Sequence, residues 1–155
     1  MSIAIGSDEG GFDLKERIIV FLRENGYVVK DFGVYDREPV LYADIAFDVA
    51  KAIIAGEHER GILICGTGIG MAISANKVKG IRAATCHDVY SAERARKSNN
   101  AQVMTLGAKV VGEELALSLV AAWLGSEFED GRSSAKVARI TAYEEEHWRE
   151  VQCKD

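Results

Sequence analysis

Near the middle of the chain stands the run Gly61-Ile62-Leu63-Ile64-Cys65-Gly66-Thr67-Gly68-Ile69-Gly70. Its first half is a short apolar stretch that begins at a glycine, which is typical of a buried strand. Its second half has three glycines in alternation, so the backbone can turn sharply and present its N–H groups. The next segment, Met71 to Lys77, has a helical composition. The run therefore predicts a buried strand, an anion-binding turn and a helix in succession.

Cys65 lies where the predicted strand becomes the turn. A thiol beside the positive end of a helix ionises more readily than a free one. A thiolate next to backbone N–H donors suits proton transfer in an anionic substrate whose oxygens gain charge during the reaction. The G-x-G-x-G spacing differs from both the dinucleotide fingerprint and the P-loop. A buried, inert cysteine in a glycine-rich turn is the competing interpretation.

Apolar segments alternate with amphipathic helices along the whole chain, which indicates a parallel sheet covered on both faces. The predicted strands are Ser2–Gly6, Tyr27–Phe32, Gly61–Cys65, Ile81–Cys86 and Gln102–Leu106. The predicted helices are Phe12–Asn25, Tyr42–Ala55, Met71–Lys77, Ser91–Lys97, Glu113–Leu124 and Ala135–Trp148. We therefore expect an α/β fold over residues 1–155, a single-domain three-layer α/β/α sandwich with a five-stranded parallel Rossmann-like sheet.

The composition excludes several classes of partner. A net charge of −5 argues against nucleic acid, because binding to phosphate backbones needs a concentrated basic surface. No apolar run approaches the roughly 20 residues that span a bilayer, and no signal peptide is evident, so we expect a cytoplasmic protein without membrane contact. The cysteines Cys65, Cys86 and Cys153 show no C-x-x-C spacing and the histidines are scattered, so no metal site is predicted.

Open parallel sheets bind ligands beyond the carboxyl ends of their strands. The polar residues expected at those ends are Ser7–Glu9, Cys65–Gly70, His87–Asp88 and, beside the fifth strand, Ser98–Asn100 with Gly107. We therefore expect these polar, carboxylate and thiol groups to converge on one edge of the sheet.

From Ile3 to about Tyr143 the chain resembles the type-B ribose-5-phosphate isomerases and the related galactose-6-phosphate isomerases. The resemblance is carried by Ile62–Gly70, Ala75-Asn76-Lys77, Gly80-Ile81-Arg82-Ala83, Tyr90-Ser91-Ala92 and Leu106–Gly112. It implies an enzyme that interconverts the aldose and ketose forms of a small phosphorylated sugar through an enediolate, without metal or cofactor. It also implies homodimers that share active sites across their interface, with pairing into tetramers left open.

The resemblance assigns catalytic roles to Cys65, as the base that removes the proton beside the carbonyl, and to Thr67, as a helper in proton movement between the two oxygens. The implied donors to the enediolate are the backbone N–H groups of Gly66, Gly68, Ile69 and Gly70. The other implied substrate contacts are Asp8, Tyr42 and Asn99 at the sugar and the cations Lys109, Arg132 and Lys136 at the phosphate. For Tyr42, packing at a helix start is the competing interpretation. Arg132 and Lys136 are four residues apart, so one helical turn would point both at the same group.

Two positions depart from the family pattern. Glu9 and Ser98 stand where ribose-phosphate members have histidines, and the second of these histidines is credited with opening the furanose ring. Serine cannot easily replace it as an acid or base. A tetrose 4-phosphate cannot form that ring and stays open, and the run Ser98 to Gln102 resembles the family branch that acts on erythrulose 4-phosphate. Ring opening by His87 is the competing hypothesis, whereas Glu9 binds a hydroxyl or fixes Arg132 or a lysine.

Two other functions remain open at the level of sequence. The chain could be one subunit of a galactose-6-phosphate isomerase built from two unlike chains. It could instead be a non-catalytic sensor of a sugar phosphate or nucleotide, which would leave Cys65 without a purpose. Turnover that depends on Cys65 separates the isomerase from both alternatives.

Overall fold

The computed structural model describes residues 1–152 of the chain and their side chains through residue 147, so Cys153 lies outside the described residues. The strands are β1 (Ser2–Ser7), β2 (Val28–Asp31), β3 (Arg60–Cys65), β4 (Ala83–Thr85) and β5 (Val103–Gly107). The helices are α1 (Phe12–Glu24), α2 (Tyr42–Ile54), α3 (Ile69–Ala75), α4 (Val89–Lys97), α5 (Glu113–Leu124) and α6 (Ser134–Gln152), with a short 3-10 turn at Glu9–Gly11. None of the helices in the described part of the chain combines the length and apolarity needed to cross a membrane.

The strands form one sheet in the order β2-β1-β3-β5-β4, and all neighbouring strands run parallel. The predicted α/β fold with a five-stranded parallel sheet is thereby confirmed, and the differences lie at element ends. β4 is shorter than predicted because the N–H of Arg82 donates to the side chain of Gln102 instead of a neighbouring strand. β2 begins later than predicted because the N–H of Tyr27 donates to the carbonyl of Leu22 and so closes α1.

Different helices cover the two faces of the sheet. On one face α1, α4 and α5 bury an apolar cluster that includes the fully buried Trp123. On the other face α2 and α3 pack over a cluster that includes Met71 and Cys65. Removal of this apolar surface from water is the main stabilising contribution to such a fold. The predicted three-layer arrangement is therefore confirmed.

The central strands bring their carboxyl ends together. The register pairs Cys65 of β3 with Gly107 of β5, and Ile64 of β3 with Ser7 of β1. The turn after β3 lies directly on β5, since a Cβ added to Gly68 would sit 2.9 Å from the backbone carbon of Leu106. Gly68 also has a φ of +76°, a conformation that favours glycine. These constraints hold the Cys65 turn in one place.

α6 differs from the other helices because it has no buried face. None of its residues with a described side chain is buried, and Ile140 and Tyr143 are more than half exposed. Its Glu144 carboxylate accepts the N–H of Gly80 at 2.8 Å, which holds the helix against the segment before β4. The apolar side chains of α6 are thus left open to solvent in one protomer.

Candidate active site

A cleft of about 460 Å³ opens at the edge of the sheet where β1, β3 and β5 end. Its lining consists of Asp8, Tyr42, Cys65, Gly66, Thr67, Ile69, Gly70, Ile73 and Lys109. All of these except Ile73 are residues that the sequence predicts for the site. We call this edge the carboxyl edge, and the edge where the strands begin the amino edge.

Cys65 is the last residue of the buried strand β3, and only 5% of its surface is exposed. Its Sγ accepts the backbone N–H of Gly68 at 3.1 Å. Glycine is required at position 68 because its φ is positive and a Cβ there would meet the backbone of Leu106.

Two of the predicted enediolate donors already have acceptors within the turn. The N–H of Gly68 donates to Cys65 Sγ, and the N–H of Ile69 donates to the hydroxyl of Thr67 at 3.3 Å. Gly70 lies in the first turn of α3, where N–H groups have no acceptor inside the helix. We therefore expect Gly70, more than Gly68 or Ile69, to present a free donor to a ligand.

Asp8 follows β1 and faces the same cleft. Burial raises the pKa of its carboxyl group above the ordinary value, and the nearby Glu9 acts in the same direction. The N–H of Gly11, which donates to Oδ1 at 3.0 Å, and the charge of Lys109 lower the pKa, but they do not offset burial. Asp8 therefore keeps its proton to a higher pH than an ordinary aspartate does.

Lys109 and Tyr42 close the cleft from two sides. The methylenes of Lys109 lie 3.5 and 3.7 Å from the position that a Cβ on Gly66 would take, so this side chain covers the turn. A Cβ on Gly70 would lie 2.6 Å from the ring of Tyr42, so only glycine at this position admits the ring. Tyr42 thus packs at the start of α2 and lines the cleft at the same time.

Glu9 and His87 lie near this edge without lining the cleft. The Glu9 carboxylate accepts the N–H of Val40 at 3.3 Å, so its partner is the loop that leads to Tyr42 and not Arg132 or a lysine. The alternative role, binding of a sugar hydroxyl, stays a prediction. The Nε2 of His87 accepts the N–H of Gly107 at 3.0 Å. That contact occupies the nitrogen and indicates a structural role at the end of β5.

Ser98 and Asn99 lie at the amino edge, so the prediction that they join the other groups on one edge is wrong. They precede β5, whereas Cys65 is the last residue of β3. Because β3 and β5 are parallel, these positions lie at opposite edges of the sheet. The carbonyl of Asn99 accepts from Arg82, and its side-chain amide donates to the carbonyl of Arg94 at 3.2 Å. Chain direction alone places these residues at the amino end of the fifth strand, because they precede it in the sequence.

A second cavity, of about 230 Å³, lies at the amino edge, and we call it the amino-edge cavity. It is lined by Arg94, Lys97, Ser98, Glu129, Asp130, Arg132 and Ser133. The sequence reasoning predicted Ser98 and Arg132 as site residues but missed Arg94 and Lys97. The available signal was their spacing, since Arg94 precedes Ser98 by one helical turn at the end of α4.

Lys136 does not line this cavity, and the expected helical alignment with Arg132 is wrong. Helix α6 begins at Ser134, so Arg132 lies in the turn before it. The Asp130 carboxylate accepts the N–H of Gly131 and the hydroxyl of Ser134, which starts the helix after position 132.

Comparison with known proteins places these geometries in context. A family model described as Ribose/Galactose Isomerase matches residues 3–140. The chain is 57% identical to D-erythrulose-4-phosphate isomerase of Pectobacterium atrosepticum, over 93% of this chain and 95% of that protein. It is 58% identical to Ribose-5-P isomerase B of Listeria innocua, over 88% and 93%. The solved structure of Clostridium thermocellum Ribose-5-Phosphate Isomerase B superposes with a TM-score of 0.93 at 48% identity, over 95% of this chain and 99% of that one.

The raised pKa of Asp8 generates a prediction about stability. A raised pKa means that the folded protein binds this proton more tightly than the unfolded chain does. The protonated carboxyl group therefore stabilises the fold fully below its ordinary pKa, near 4. This contribution to the free energy of unfolding is lost as the pH rises through the folded-state pKa. Asparagine keeps an oxygen acceptor for the N–H of Gly11 and never ionises. We therefore expect Asp8→Asn to have a higher Tm than the wild type at pH 7, in melting curves followed by circular dichroism.

The difference in Tm should shrink as the pH is lowered through the folded-state pKa of Asp8, because the aspartate then becomes neutral like the asparagine. A variant that melts below the wild type at pH 7 would contradict the assignment of burial as the dominant influence on Asp8.

Proposed function

The chain belongs to the ribose/galactose isomerase family, and we propose that it interconverts the aldose and ketose forms of a small sugar phosphate with Cys65 as the base. The observation that carries the proposal is the cleft in which Cys65, Asp8 and Lys109 line one concave surface. The names of its relatives support the isomerase class. We treat residues 1–155 as one isomerase domain, and its location in the cytoplasm stays a prediction.

The proposed chemistry is a sequence of proton transfers. The Cys65 thiolate takes the proton from the carbon beside the carbonyl, which leaves an enediolate and a protonated Sγ. Thr67 assists the movement of a proton between the two substrate oxygens, and Sγ returns its proton to the neighbouring carbon. The Lys109 cation and the N–H groups of the turn offset the charge that develops on the oxygens.

We further propose that the working unit is a homodimer. The predicted substrate-binding residues Ser98 and Arg132 lie at the amino edge, whereas Cys65 and Lys109 lie at the carboxyl edge. β5 has five residues, and at about 3.3 Å per residue it separates the two edges by about 16 Å. A four- or five-carbon sugar phosphate does not span that distance, so one protomer would supply the base and its partner the phosphate contacts.

Exposed apolar side chains support this assembly. Leu41, Ile69 and Ile73 lie in or beside the cleft and are each more than half exposed. The apolar residues of α6 are also uncovered in one protomer. Patches of this kind on a globular protein are typical of a protein interface. Whether two dimers pair further stays open.

For the substrate we propose a tetrose 4-phosphate, in line with the erythrulose 4-phosphate isomerase branch. Ser98 supplies no acid or base for ring opening. His87 lies near the carboxyl edge, but its Nε2 accepts the backbone N–H of Gly107. An open-chain substrate needs neither group. Overall identity gives no preference, because the relatives named for the tetrose and the pentose are equally similar to this chain.

We expect Cys65→Ser to reduce turnover by about a hundredfold or more, because the reaction loses its base. The matched control is Cys86→Ala, at a buried cysteine whose thiol pKa is raised to about 11, first by burial and then by Asp88. Proton NMR in heavy water, with erythrulose 4-phosphate and ribose 5-phosphate in parallel, measures product and deuterium uptake beside the carbonyl.

A Cys65→Ser protein with near-normal turnover would refute the thiolate mechanism. A wild-type protein that neither converts nor exchanges either sugar would favour the silent-subunit or sensor interpretation. A sensor should also retain sugar-phosphate binding after replacement of Cys65 by alanine.

We expect the wild type to convert erythrulose 4-phosphate much faster than ribose 5-phosphate, and Ser98→His to shift that ratio toward the pentose. The physical reason is that an imidazole can exchange a proton near neutral pH and so open the furanose ring. Ser98→Asn serves as the control, since an amide adds bulk without an acid or base. An unchanged ratio in Ser98→His would remove the basis for the tetrose assignment.

A further inference from the structure

The amino-edge cavity is rich in cations that have few internal partners. Arg94, Lys97 and Arg132 face it together with the carboxylates Glu129 and Asp130. The Asp130 carboxylate is engaged by Gly131 and Ser134, and Lys97 pairs with Glu93 at 3.8 Å. The guanidinium groups of Arg94 and Arg132 are therefore the cations of this cavity that have no ion pair within the described residues.

Arg94 is one of four residues in the described part of the chain with a buried side-chain polar atom that has no hydrogen-bond partner, together with Ser7, Arg96 and Trp123. In Arg94 this atom is the Nε. No ion pair or side-chain hydrogen bond involves its guanidinium within the described residues. By contrast, Arg60 donates to the carbonyls of Trp123 and Leu124, and Arg96 donates to the carbonyl of Ala101. A buried donor without an acceptor is costly, and an arginine stays charged, so the position calls for an anion.

We propose that Arg94 binds the phosphate group of the sugar phosphate in the amino-edge cavity, as a specificity-determining residue beside Ser98 and Arg132. The proposal rests on the proposed function and deepens it. A guanidinium grips phosphate with two parallel N–H donors, which the ammonium of a lysine cannot do. Lys109 and Lys136 lack that fork, so Arg94 supplies a second forked donor in addition to Arg132.

The small side chain at position 98 is what gives a ligand access to Arg94. Both residues line the cavity, and the N–H of Ser98 donates to the carbonyl of Arg94 at 2.9 Å, so they are adjacent across one helical turn. An imidazole at position 98 would occupy part of the roughly 230 Å³ available. The two side chains therefore act together. The small side chain of Ser98 leaves room for the phosphate, and the guanidinium of Arg94 binds it.

The experiment compares the wild type with Arg94→Met and Arg94→Lys. We measure kcat and KM for erythrulose 4-phosphate, and the Kd of inorganic phosphate by isothermal titration calorimetry. Loss of a charge-assisted contact to phosphate should raise both KM and this Kd by about tenfold or more in Arg94→Met, with a smaller fall in kcat. Arg94→Lys keeps the charge without the fork and should lie between the two.

Arg23→Met is the matched control. Arg23 is exposed on α1, and α5 packs between α1 and α4, so its removal should leave KM and the phosphate Kd unchanged. Melting curves show whether each variant is folded. If Arg94→Met does not fold, the comparison of Arg94→Lys with the wild type is the test.

The outcomes separate this proposal from the proposed function. Wild-type turnover together with an Arg94→Met protein whose KM and phosphate Kd stay within about twofold of wild type would overturn the role of Arg94 and leave the isomerase intact. If the wild type converts neither sugar, the proposed function fails, and the phosphate titration alone decides. Weaker phosphate binding in Arg94→Met would then still support the anion site, and equal binding would overturn it.

Discussion

All neighbouring strands of the sheet run in the same direction, so the turns that leave strands meet at one edge and the segments that enter strands meet at the other. This constraint places the predicted site residues of one chain in two groups, one at each edge of the sheet. Cys65, Asp8 and Lys109 lie at the carboxyl edge, whereas Ser98, Arg94 and Arg132 are excluded from it. In the homodimer that we propose, a complete site forms where the carboxyl edge of one protomer meets the amino edge of its partner.

At the carboxyl edge, close packing fixes the geometry of the base. Gly68 has a positive φ and donates its N–H to Cys65 Sγ, and the lack of a Cβ lets the turn lie against the backbone of Leu106. Gly70 in turn makes room for the ring of Tyr42. Gly68 and Gly70 thus serve three different contacts, and together they fix the position of the Cys65 thiol.

Much of the fold and half of the site follow from the sequence, because periodicity and glycine spacing are local signals. Alternating apolar strands and amphipathic helices predict the sheet, and the run after Leu63 predicts the cleft. The misplacement of Ser98 was avoidable, since chain direction puts a residue that precedes β5 at its amino end. The other errors depend on tertiary structure. The partner of Glu9 is set by the loop before Tyr42, and the isolation of the Arg94 guanidinium is set by the packing of α4.

The most direct test of a site assembled from two copies is subunit complementation. Differently tagged Cys65→Ser and Arg132→Met chains are coexpressed, and turnover of erythrulose 4-phosphate is compared with that of each variant alone. A shared site gives each heterodimer one intact base and phosphate pair, so random mixing should restore about a quarter of wild-type activity. Activity no higher than that of the two separate variants would contradict a site shared between copies, because every site would then carry one defect.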